Sequence, residues 1–211
     1  MPIPIYPKKH QTTLKNEHGA TPIAKNFFVN YDKEDVFGNK ITEQHKWEQF
    51  FWTKQVVEKI CGALEFVFVE KTCCLTTPSL AHQLHQNGRD EQLLDIDVRF
   101  DYLPKFRYYD LMKPTSIKGD FRLLVIDPPF FLIPIEKVRE AVDQITSANF
   151  DTKILIAFLK RAEQRLRIAF EPYNLVPTKF PLEYASIKPN KWSNFVLYSN
   201  IDLPGIKRMK E

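Results

Sequence analysis

The chain has 211 residues, of which 44% are apolar and 13% aromatic, a composition that predicts one compact domain and excludes an intrinsically disordered protein. The net charge of +4 is mildly basic and is common among proteins without a nucleic-acid partner. Three cysteines without a CxxC pair argue against a disulfide framework and a zinc site. With no apolar run near the ~20 residues that cross a bilayer and no secretion signal, we expect a cytoplasmic protein, or alternatively a nuclear one, that binds neither metal nor membrane.

The N-terminal part of the chain differs in pattern from the rest. Residues 1–25 combine proline, lysine and polar residues without periodicity, which predicts a flexible arm. A folded domain is expected over residues 26–204, followed by a short basic tail over residues 205–211. Apolar residues at helical spacing predict that the core begins with a helix that starts near Thr42 and is broken at Gly62.

Beyond this helix, short apolar segments alternate with helical patterns. The clearest strand is FRLLVIDPP, residues 121–129, because a near-continuous run of leucine, valine and isoleucine is typical of a central parallel strand covered on both faces. The pattern predicts an α/β fold with a mostly parallel sheet flanked by helices. The other predicted strands are KTCCLTT, LLDIDV, FRYYDL, TKILIAFL, FPLEYASI and NFVLYSNI, and the predicted helices are PSLAHQLHQNG, PIEKVREAVDQITSA and RAEQRLRIAF.

Polar side chains occur where three of the predicted strands end. In an open parallel sheet, ligands bind beyond the carboxyl ends of the strands. We therefore expect these polar residues to lie near one another along one edge of the sheet. They are Thr76 and Thr77 after the first strand, Asp95 and Asp97 at the second, and Asp127 after the fourth.

Asp127 is followed by Pro128, Pro129 and Phe130. The prolines fix the backbone and remove two N–H donors, so this turn presents mainly acceptors. Converging acceptors suit a group that carries N–H donors, such as a lysine amine or the exocyclic amine of a base. Phe130 and Phe131 offer apolar faces against which a planar base or lysine methylenes can lie. From the pattern alone, a rigid turn with a capping acid is an equally good interpretation.

The segment DPPF resembles the [DNS]-P-P-[FYW] motif of S-adenosylmethionine-dependent amino-methyltransferases. Several stretches together resemble the eukaryotic family first described as probable N6-adenine methyltransferases, which includes the elongation factor 1-alpha lysine methyltransferases and a zinc-finger ribosomal-RNA adenine methyltransferase. The resemblance implies a Rossmann-like class I fold with a seven-stranded sheet, and S-adenosyl-L-methionine as cofactor. The matching stretches follow the family's order over residues 45–201: EQFFWT, CCLTTPSL, LLDIDVRF, FRYYDLMKP, KGDFRLLVIDPPF and NFVLYSNI.

The resemblance also implies roles for individual residues, with 127–130 as the catalytic motif. The acid at the end of the second strand binds the cofactor ribose, since a carboxylate accepts two hydrogen bonds from a diol; Asp97 is the first candidate and Asp95 the second. Asp110 is expected near the adenine amine of the cofactor. The first strand-to-helix turn lacks the glycines of most such methyltransferases, and its backbone N–H groups are expected to meet the methionine carboxylate. This turn consists of Thr76, Thr77, Pro78 and Ser79.

The motif serves both a lysine and an adenine, so the acceptor remains open. The short chain without zinc fingers and the segment EQFFWT slightly favour a protein lysine, as in elongation factor 1-alpha. LLDIDVRF, the long segment after the fifth strand and the basic charge favour an adenine of RNA or DNA, and FLIP after DPPF departs from the lysine branch. Two further functions compete: an inactive methyltransferase-fold subunit that scaffolds a partner or binds RNA, and an unrelated α/β nucleotide-binding enzyme.

Overall fold

The computed structural model describes residues 33–38, 40–65, 71–89 and 91–209, so the predicted N-terminal arm lies outside the described residues. Within them, seven strands form one sheet and four α-helices cover it. No described helix has both the length and the apolar character needed to span a membrane. The strands are β1 (Thr72–Leu75), β2 (Gln92–Asp95), β3 (Phe106–Tyr108), β4 (Leu123–Ile126), β5 (Lys153–Leu159), β6 (Val176–Pro177) and β7 (Phe195–Ser199), and the helices are α1 (Lys54–Glu65), α2 (Pro78–Gln86), α3 (Ile135–Thr146) and α4 (Glu163–Ala169).

The sheet has the strand order β3-β2-β1-β4-β5-β7-β6. The first five strands in this order are parallel, whereas β7 runs antiparallel to both of its neighbours. This arrangement confirms the predicted α/β class with a mostly parallel seven-stranded sheet. It also gives the sheet one edge at which the carboxyl ends of β1, β2 and β4 meet.

Two apolar clusters cover the two faces of the sheet, and alternate strand residues contribute to each. Val125 packs in the cluster that includes α1 and α2, while Leu124 and Ile126 pack in the cluster that includes α3 and α4. Because side chains alternate along a strand, a strand covered on both faces must be apolar at every position. This explains the uninterrupted LLVI of β4, whose four residues are all buried.

The helix predicted from Thr42 is wrong in its first half and at its break. His45–Trp47 forms a short 3-10 helix, and α1 begins only at Lys54 and passes through Gly62. The intervening backbone pairs with a distant segment instead: the N–H of Thr53 donates to the carbonyl of Glu183 at 2.9 Å. Tertiary pairing therefore overrides local helix propensity, and a glycine inside a helix costs only about 1 kcal/mol relative to alanine.

The strand predicted for FPLEYASI is also wrong, since β6 lies earlier, at Val176–Pro177. Pro181 cannot donate to a ladder, which disfavours a continuous strand through this segment. The segment forms isolated bridges instead of a strand, and one of them joins Tyr184 to Trp52. The segment therefore crosses the carboxyl edge of the sheet rather than extending it.

The C-terminal residues pack against β6. Ile206 is fully buried, and the N–H of Met209 donates to the carbonyl of Pro177 at 2.8 Å. The N–H of Lys179 donates to the carbonyl of Lys207 at 2.9 Å. Residues 205–209 thus belong to the folded body even though they carry basic side chains.

Candidate active site

Three strand ends meet at the carboxyl edge of the sheet. In the register of the parallel strands, Leu75 of β1 pairs with Leu94 of β2 and with Ile126 of β4. The next residue of each strand is therefore at the same level, which brings Thr76, Asp95 and Asp127 side by side. The structure places the strand-end residues together as their position in the sequence led us to expect.

Asp127 is a half-buried acid at this edge. Part of its surface remains open to solvent, but protein atoms surround its carboxyl group. The hydroxyl of Tyr184 donates a hydrogen bond to Asp127 Oδ1 at 2.8 Å. Burial raises the pKa of Asp127 well above its ordinary value, and hydrogen bonding from Tyr184 and Trp52 only partly offsets this effect. The ionised form of this carboxyl group is therefore less favoured than that of an exposed aspartate.

Trp52 and Tyr184 come from distant parts of the sequence and are joined by backbone pairing. They form an antiparallel bridge, and the N–H of Ala185 donates to the carbonyl of Phe51 at 2.9 Å. The indole N–H of Trp52 lies close enough to Asp127 and Tyr184 to lower the pKa of both, yet it makes no hydrogen bond of full geometry. Tyr184 is a site residue that the sequence analysis missed, because its segment carries no motif and its partner is defined only by tertiary pairing.

The segment EQFFWT, residues 48–53, crosses the edge of the sheet, and we call it the strap. Glu48 has a left-handed backbone with φ of 56°, and its carboxylate accepts the N–H of Phe131 at 2.8 Å and of Leu132 at 3.1 Å. Burial raises the pKa of Glu48, while these two N–H donors lower it by a smaller amount. The strap therefore anchors the loop that follows DPPF.

We expect Glu48→Ala to lower the free energy of unfolding by about 1–3 kcal/mol, because two backbone N–H donors lose a charged acceptor. Chemical denaturation of the two proteins measures this difference. The matched control is Glu140→Ala, which removes an exposed carboxylate paired with Lys137 and should change stability by less than about 0.5 kcal/mol. Equal effects of the two substitutions would contradict an anchoring role for Glu48.

The two acids of the DID segment have different surroundings. Asp95 ends β2 and is 5% exposed, and its Oδ1 accepts the N–H of Asp97 at 2.8 Å. Burial raises the pKa of Asp95 to about 7. Among the described residues, no side-chain donor reaches this carboxylate in a hydrogen bond. A buried carboxylate in this condition has acceptor capacity to offer to a ligand.

Asp97 caps the following 3-10 helix and is already occupied. The Arg99 guanidinium donates to Oδ1 at 2.9 Å and to Oδ2 at 2.6 Å, and Gln49 Nε2 of the strap donates to Oδ2 at 2.8 Å. Burial opposes ionisation of Asp97, but the hydrogen bonds from Arg99 and Gln49 outweigh it and hold the pKa below its ordinary value. Asp97 therefore binds the strap to the end of β2, and the ribose role of either acid remains a prediction.

The first strand-to-helix turn reverses the chain without glycine. Thr76 has a left-handed φ of 57°, an uncommon conformation for a β-branched residue and one that concentrates at functional sites. Thr77, which is buried, precedes α2 and donates its hydroxyl to the carbonyl of Val125 at 3.3 Å. Pro78 is the first residue of α2, where a missing N–H is tolerated, and the buried Ser79 follows it. Contact between this turn and a cofactor remains a prediction.

Asp110 lies in the turn after β3. Its Oδ1 accepts the N–H of Met112 at 2.8 Å, so the carboxylate stabilises its own turn. The preceding residue, Tyr109, donates its N–H to the carbonyl of Asp95 at 2.9 Å, which ties this turn to the end of β2. The predicted role of Asp110 beside the adenine amine has not been tested, but its turn is adjacent to Asp95.

The two phenylalanines of the DPPFF segment have different neighbours. The ring of Phe130 contacts the rings of Phe158 and Phe195 at centroid distances of 5.9 and 5.6 Å. The guanidinium of Arg161 lies 5.5 Å from the ring centroid of Phe131. Phe130 thus stabilises the loop from inside, whereas Phe131 packs with a cationic side chain at the surface.

An open groove of about 610 Å³ lies away from this edge, beside α1 and α2, and is lined by Phe37, His82 and Tyr102 among others. It contains none of the strand-end acids. Among the described residues, no three His, Cys, Asp or Glu side chains are grouped so that they could hold a metal ion. The site residues predicted from the sequence therefore lie at the carboxyl edge and do not line this groove.

The fold has the antiparallel β7 inserted between β5 and β6, and acids at the carboxyl ends of β2 and β4. It is the Rossmann-like fold of S-adenosylmethionine-dependent methyltransferases. The family described as probable N6-adenine methyltransferase matches residues 43–203, which is most of the chain. The chain belongs to this family. No curated protein sequence matches the chain with significance.

Solved structures with a similar fold include three methyltransferases. A TehB-like S-adenosylmethionine-dependent methyltransferase from Corynebacterium glutamicum is 17% identical, with a TM-score of 0.48 over 73% of this chain and 88% of that one. A ribosomal protein L11 methylase from Lactobacillus delbrueckii subsp. bulgaricus is 12% identical, with a TM-score of 0.44 over 76% and 82%. A tRNA (uracil-54, C5)-methyltransferase from Pyrococcus abyssi, solved with S-adenosyl-L-homocysteine, is 14% identical, with a TM-score of 0.42 over 72% and 40%.

Proposed function

We propose that this methyltransferase moves the methyl group to an amine nitrogen held by Asp127, and that the amine is N6 of an adenine in RNA. The observation that carries the amine acceptor is the enclosed Asp127 carboxyl at the end of β4, on the same edge as Asp95. The choice of adenine is supported by the description of the family and by the charge of the surface around the DPPF loop.

The hydrogen-bonding groups at the carboxyl edge of the sheet fit S-adenosylmethionine. Asp95 has unused acceptor capacity for the two ribose hydroxyls, and the turn of residues 76–79 lies at the start of α2, where backbone N–H groups suit a carboxylate. Asp110 lies in the adjacent turn, on the side where the adenine is expected. The bound cofactor would supply a methyl group on a sulfonium. The acceptor nitrogen would form the carbon–nitrogen bond as the carbon–sulfur bond breaks with its electron pair staying on sulfur, and the methylated nitrogen would then release one proton to the Asp127 carboxylate or to water.

Asp127 acts by positioning. Its carboxylate and the carbonyl of Pro128 accept the hydrogens of the amine, which orients the nitrogen lone pair. Pro128 and Pro129 have no N–H that would compete for these acceptors. Holding reactants in one orientation supplies a large part of the acceleration in such reactions.

Four basic residues lie in the segments next to the DPPF loop, and we call Lys160, Arg161, Lys188 and Lys191 the basic rim. Leu159 of β5 pairs with Phe195 of β7, so the chain after β5 and the chain before β7 leave the sheet at the same edge. The 3-10 helices Lys160–Ala162 and Pro189–Asn194 pack against each other there. Arg161 packs with Phe131, so the rim reaches the DPPF loop itself. A cationic rim beside aromatic rings suits a phosphate backbone with an unstacked base.

A protein lysine, as in elongation factor 1-alpha, is the second candidate acceptor. It is favoured by the raised pKa of Asp127, because a lysine ammonium must lose a proton before it can react, and a carboxylate with a raised pKa is a better base. Adenine N6 is neutral and needs no such step. Asp127 would therefore act as a base toward a lysine, but only as a hydrogen-bond acceptor toward an adenine.

The acceptor is identified by incubating a lysate with the protein and labelled S-adenosylmethionine, then treating the products with ribonuclease or protease. We expect ribonuclease to release the label and protease to leave it in place. Label released by protease alone would contradict the RNA proposal and support the lysine. Label that Asp127→Asn leaves unchanged, or no label at all, would overturn Asp127-dependent transfer and favour a non-catalytic subunit.

The double substitution Lys160→Glu and Arg161→Glu tests the basic rim. We expect at least a tenfold loss of transfer to RNA. The slope of log affinity for RNA against log salt concentration should also become shallower by about one unit for each phosphate contact that is lost. Lys59→Glu, on the exposed side of α1, is the matched control and should have little effect. Equal losses in the two proteins would show only a general response to net charge and would contradict a binding role for the rim.

A further inference from the structure

We propose that Tyr184 is a positioning residue of the methyl-transfer site: its hydroxyl, together with the indole N–H of Trp52, holds the Asp127 carboxylate in one orientation and leaves one oxygen to accept the amine. This inference rests on the proposed function and extends it to two residues outside the DPPF motif. Tyr184 lies in no motif, and Trp52 lies in the stretch EQFFWT, to which the sequence analysis assigned no role at the site.

The hydrogen bond between Tyr184 and Asp127 restricts the carboxylate. A phenol has a single proton, and an ionised carboxylate has none, so the hydroxyl must donate to Oδ1, 2.8 Å away. Occupying Oδ1 removes the two-fold choice of which oxygen faces the acceptor. Oδ2 is then the oxygen that remains to accept the amine.

Tyr184 itself is held rigidly. It is 1% exposed, its ring packs against Phe195 at a centroid distance of 4.8 Å, and its backbone is bridged to Trp52. The indole of Trp192 donates to the carbonyl of Tyr184 at 3.2 Å and to that of Ile187 at 2.9 Å. A donor fixed at both its ring and its backbone can impose its own geometry on Asp127.

Trp52 supplies an independent observation. It is 2% exposed, and its N–H has no hydrogen-bond partner of full geometry although it lies beside Asp127 and Tyr184. A buried donor without a partner is costly and is retained where a nearby acceptor can use it. Two donors from separate segments thus converge on the carboxyl group to which we assign the amine, which a packing role alone does not require.

The hydroxyl of Tyr184 should also affect how the rate of methyl transfer depends on pH. Among the described residues, the pKa of Asp127 responds to burial, which raises it, and to Tyr184 and Trp52, which lower it; no charged side chain on a neighbouring element contributes. Loss of the Tyr184 hydroxyl therefore moves the pKa of Asp127 further upward. Because the ionised form accepts the amine, the acidic limb of the rate profile should move to higher pH.

Tyr184→Phe tests this, with Tyr173→Phe as the matched control, since Tyr173 also donates to a carboxylate, Asp143, at 3.1 Å, but away from the edge. We expect Tyr184→Phe to lower kcat by about tenfold or more near neutral pH, with the acidic limb shifted upward and cofactor affinity changed by less than about twofold. On an Asp127→Asn background the same substitution should have little further effect, because the two residues act as a unit. Tyr173→Phe should leave the pH profile unchanged.

An unchanged kcat, or a reduction that is equal at every pH and persists on the Asp127→Asn background, would overturn the positioning role and leave Tyr184 as a core residue. If Tyr184→Phe does not fold, Trp52→Phe undergoes the same comparison. A wild-type protein without Asp127-dependent transfer would overturn the proposed function and this inference with it. An active wild type with an unaffected Tyr184→Phe overturns the inference alone.

Discussion

Asp127→Asn should lower the rate of methyl transfer by about 100-fold or more while the affinity for S-adenosylmethionine changes by less than about twofold. The substitution keeps the size of the side chain but removes the negative charge and half of its acceptor capacity. Initial rates with labelled S-adenosylmethionine and calorimetric titration of the cofactor separate the two effects. Asp120→Asn, an exposed acid before β4 at the opposite end of the sheet, is the control.

The same substitution should raise the melting temperature or leave it unchanged. The pKa of Asp127 is higher in the folded protein than its ordinary value. The protonated carboxyl therefore stabilises the folded protein at low pH, and this contribution is lost as the pH rises through the raised pKa. Asparagine cannot ionise and still accepts the hydrogen bond from Tyr184. A large loss of stability together with the loss of activity would contradict this account, since it would point to a structural rather than a chemical role.

Asp95→Asn should weaken cofactor binding by about tenfold or more, because hydrogen bonds from the ribose hydroxyls to a charged acceptor are lost. Asp97→Asn should weaken it less, since the oxygens of Asp97 are already engaged by Arg99 and Gln49. Asp101→Asn, which changes an exposed acid four residues after Asp97, is the control. A larger loss from Asp97→Asn would reverse the assignment and restore Asp97 as the ribose acid.

The affinity of the wild-type protein should also depend on pH. Burial raises the pKa of Asp95 to about 7, and only the ionised form can accept both hydroxyls. Binding should therefore weaken as the pH falls below about 7 and level off above it. Calorimetry at pH 6, 7 and 8 measures this, and the dependence should disappear in Asp95→Asn.

The sequence was sufficient to predict the sheet and the position of its acids. The four residues LLVI of β4 are buried on both faces, so their apolar run is a direct consequence of the fold. Thr76 and Asp127 follow such strands, Asp95 ends one, and parallel pairing brings all three to one edge. These predictions depend on local pattern and on a general rule of α/β sheets.

The strap and Tyr184 could not be predicted in this way. The residues of EQFFWT have helical spacing, but the strap is not helical, because its backbone pairs with residues 183–185. That pairing is also what brings Tyr184 to Asp127. Contacts between such distant segments leave no periodicity in either of them, so only the structure reveals the second donor.

The choice between Asp95 and Asp97 also depends on contacts that the sequence pattern does not reveal. Both acids lie in DID, and the resemblance to the family ranked Asp97 first. The structure shows that Arg99 and Gln49 engage Asp97, whereas Asp95 is buried at the strand end without a side-chain donor. We therefore propose Asp95 before Asp97 as the ribose acid, on the basis of neighbours that the motif does not contain.

The most direct test of the central claim is a crystal structure of the protein with S-adenosyl-L-homocysteine. We expect the ribose hydroxyls to donate to Asp95 and the methionine carboxylate to lie at the turn of residues 76–79. The sulfur should face Asp127. A cofactor bound in the groove beside α1 and α2, or at the edge with its sulfur away from Asp127, would contradict the account.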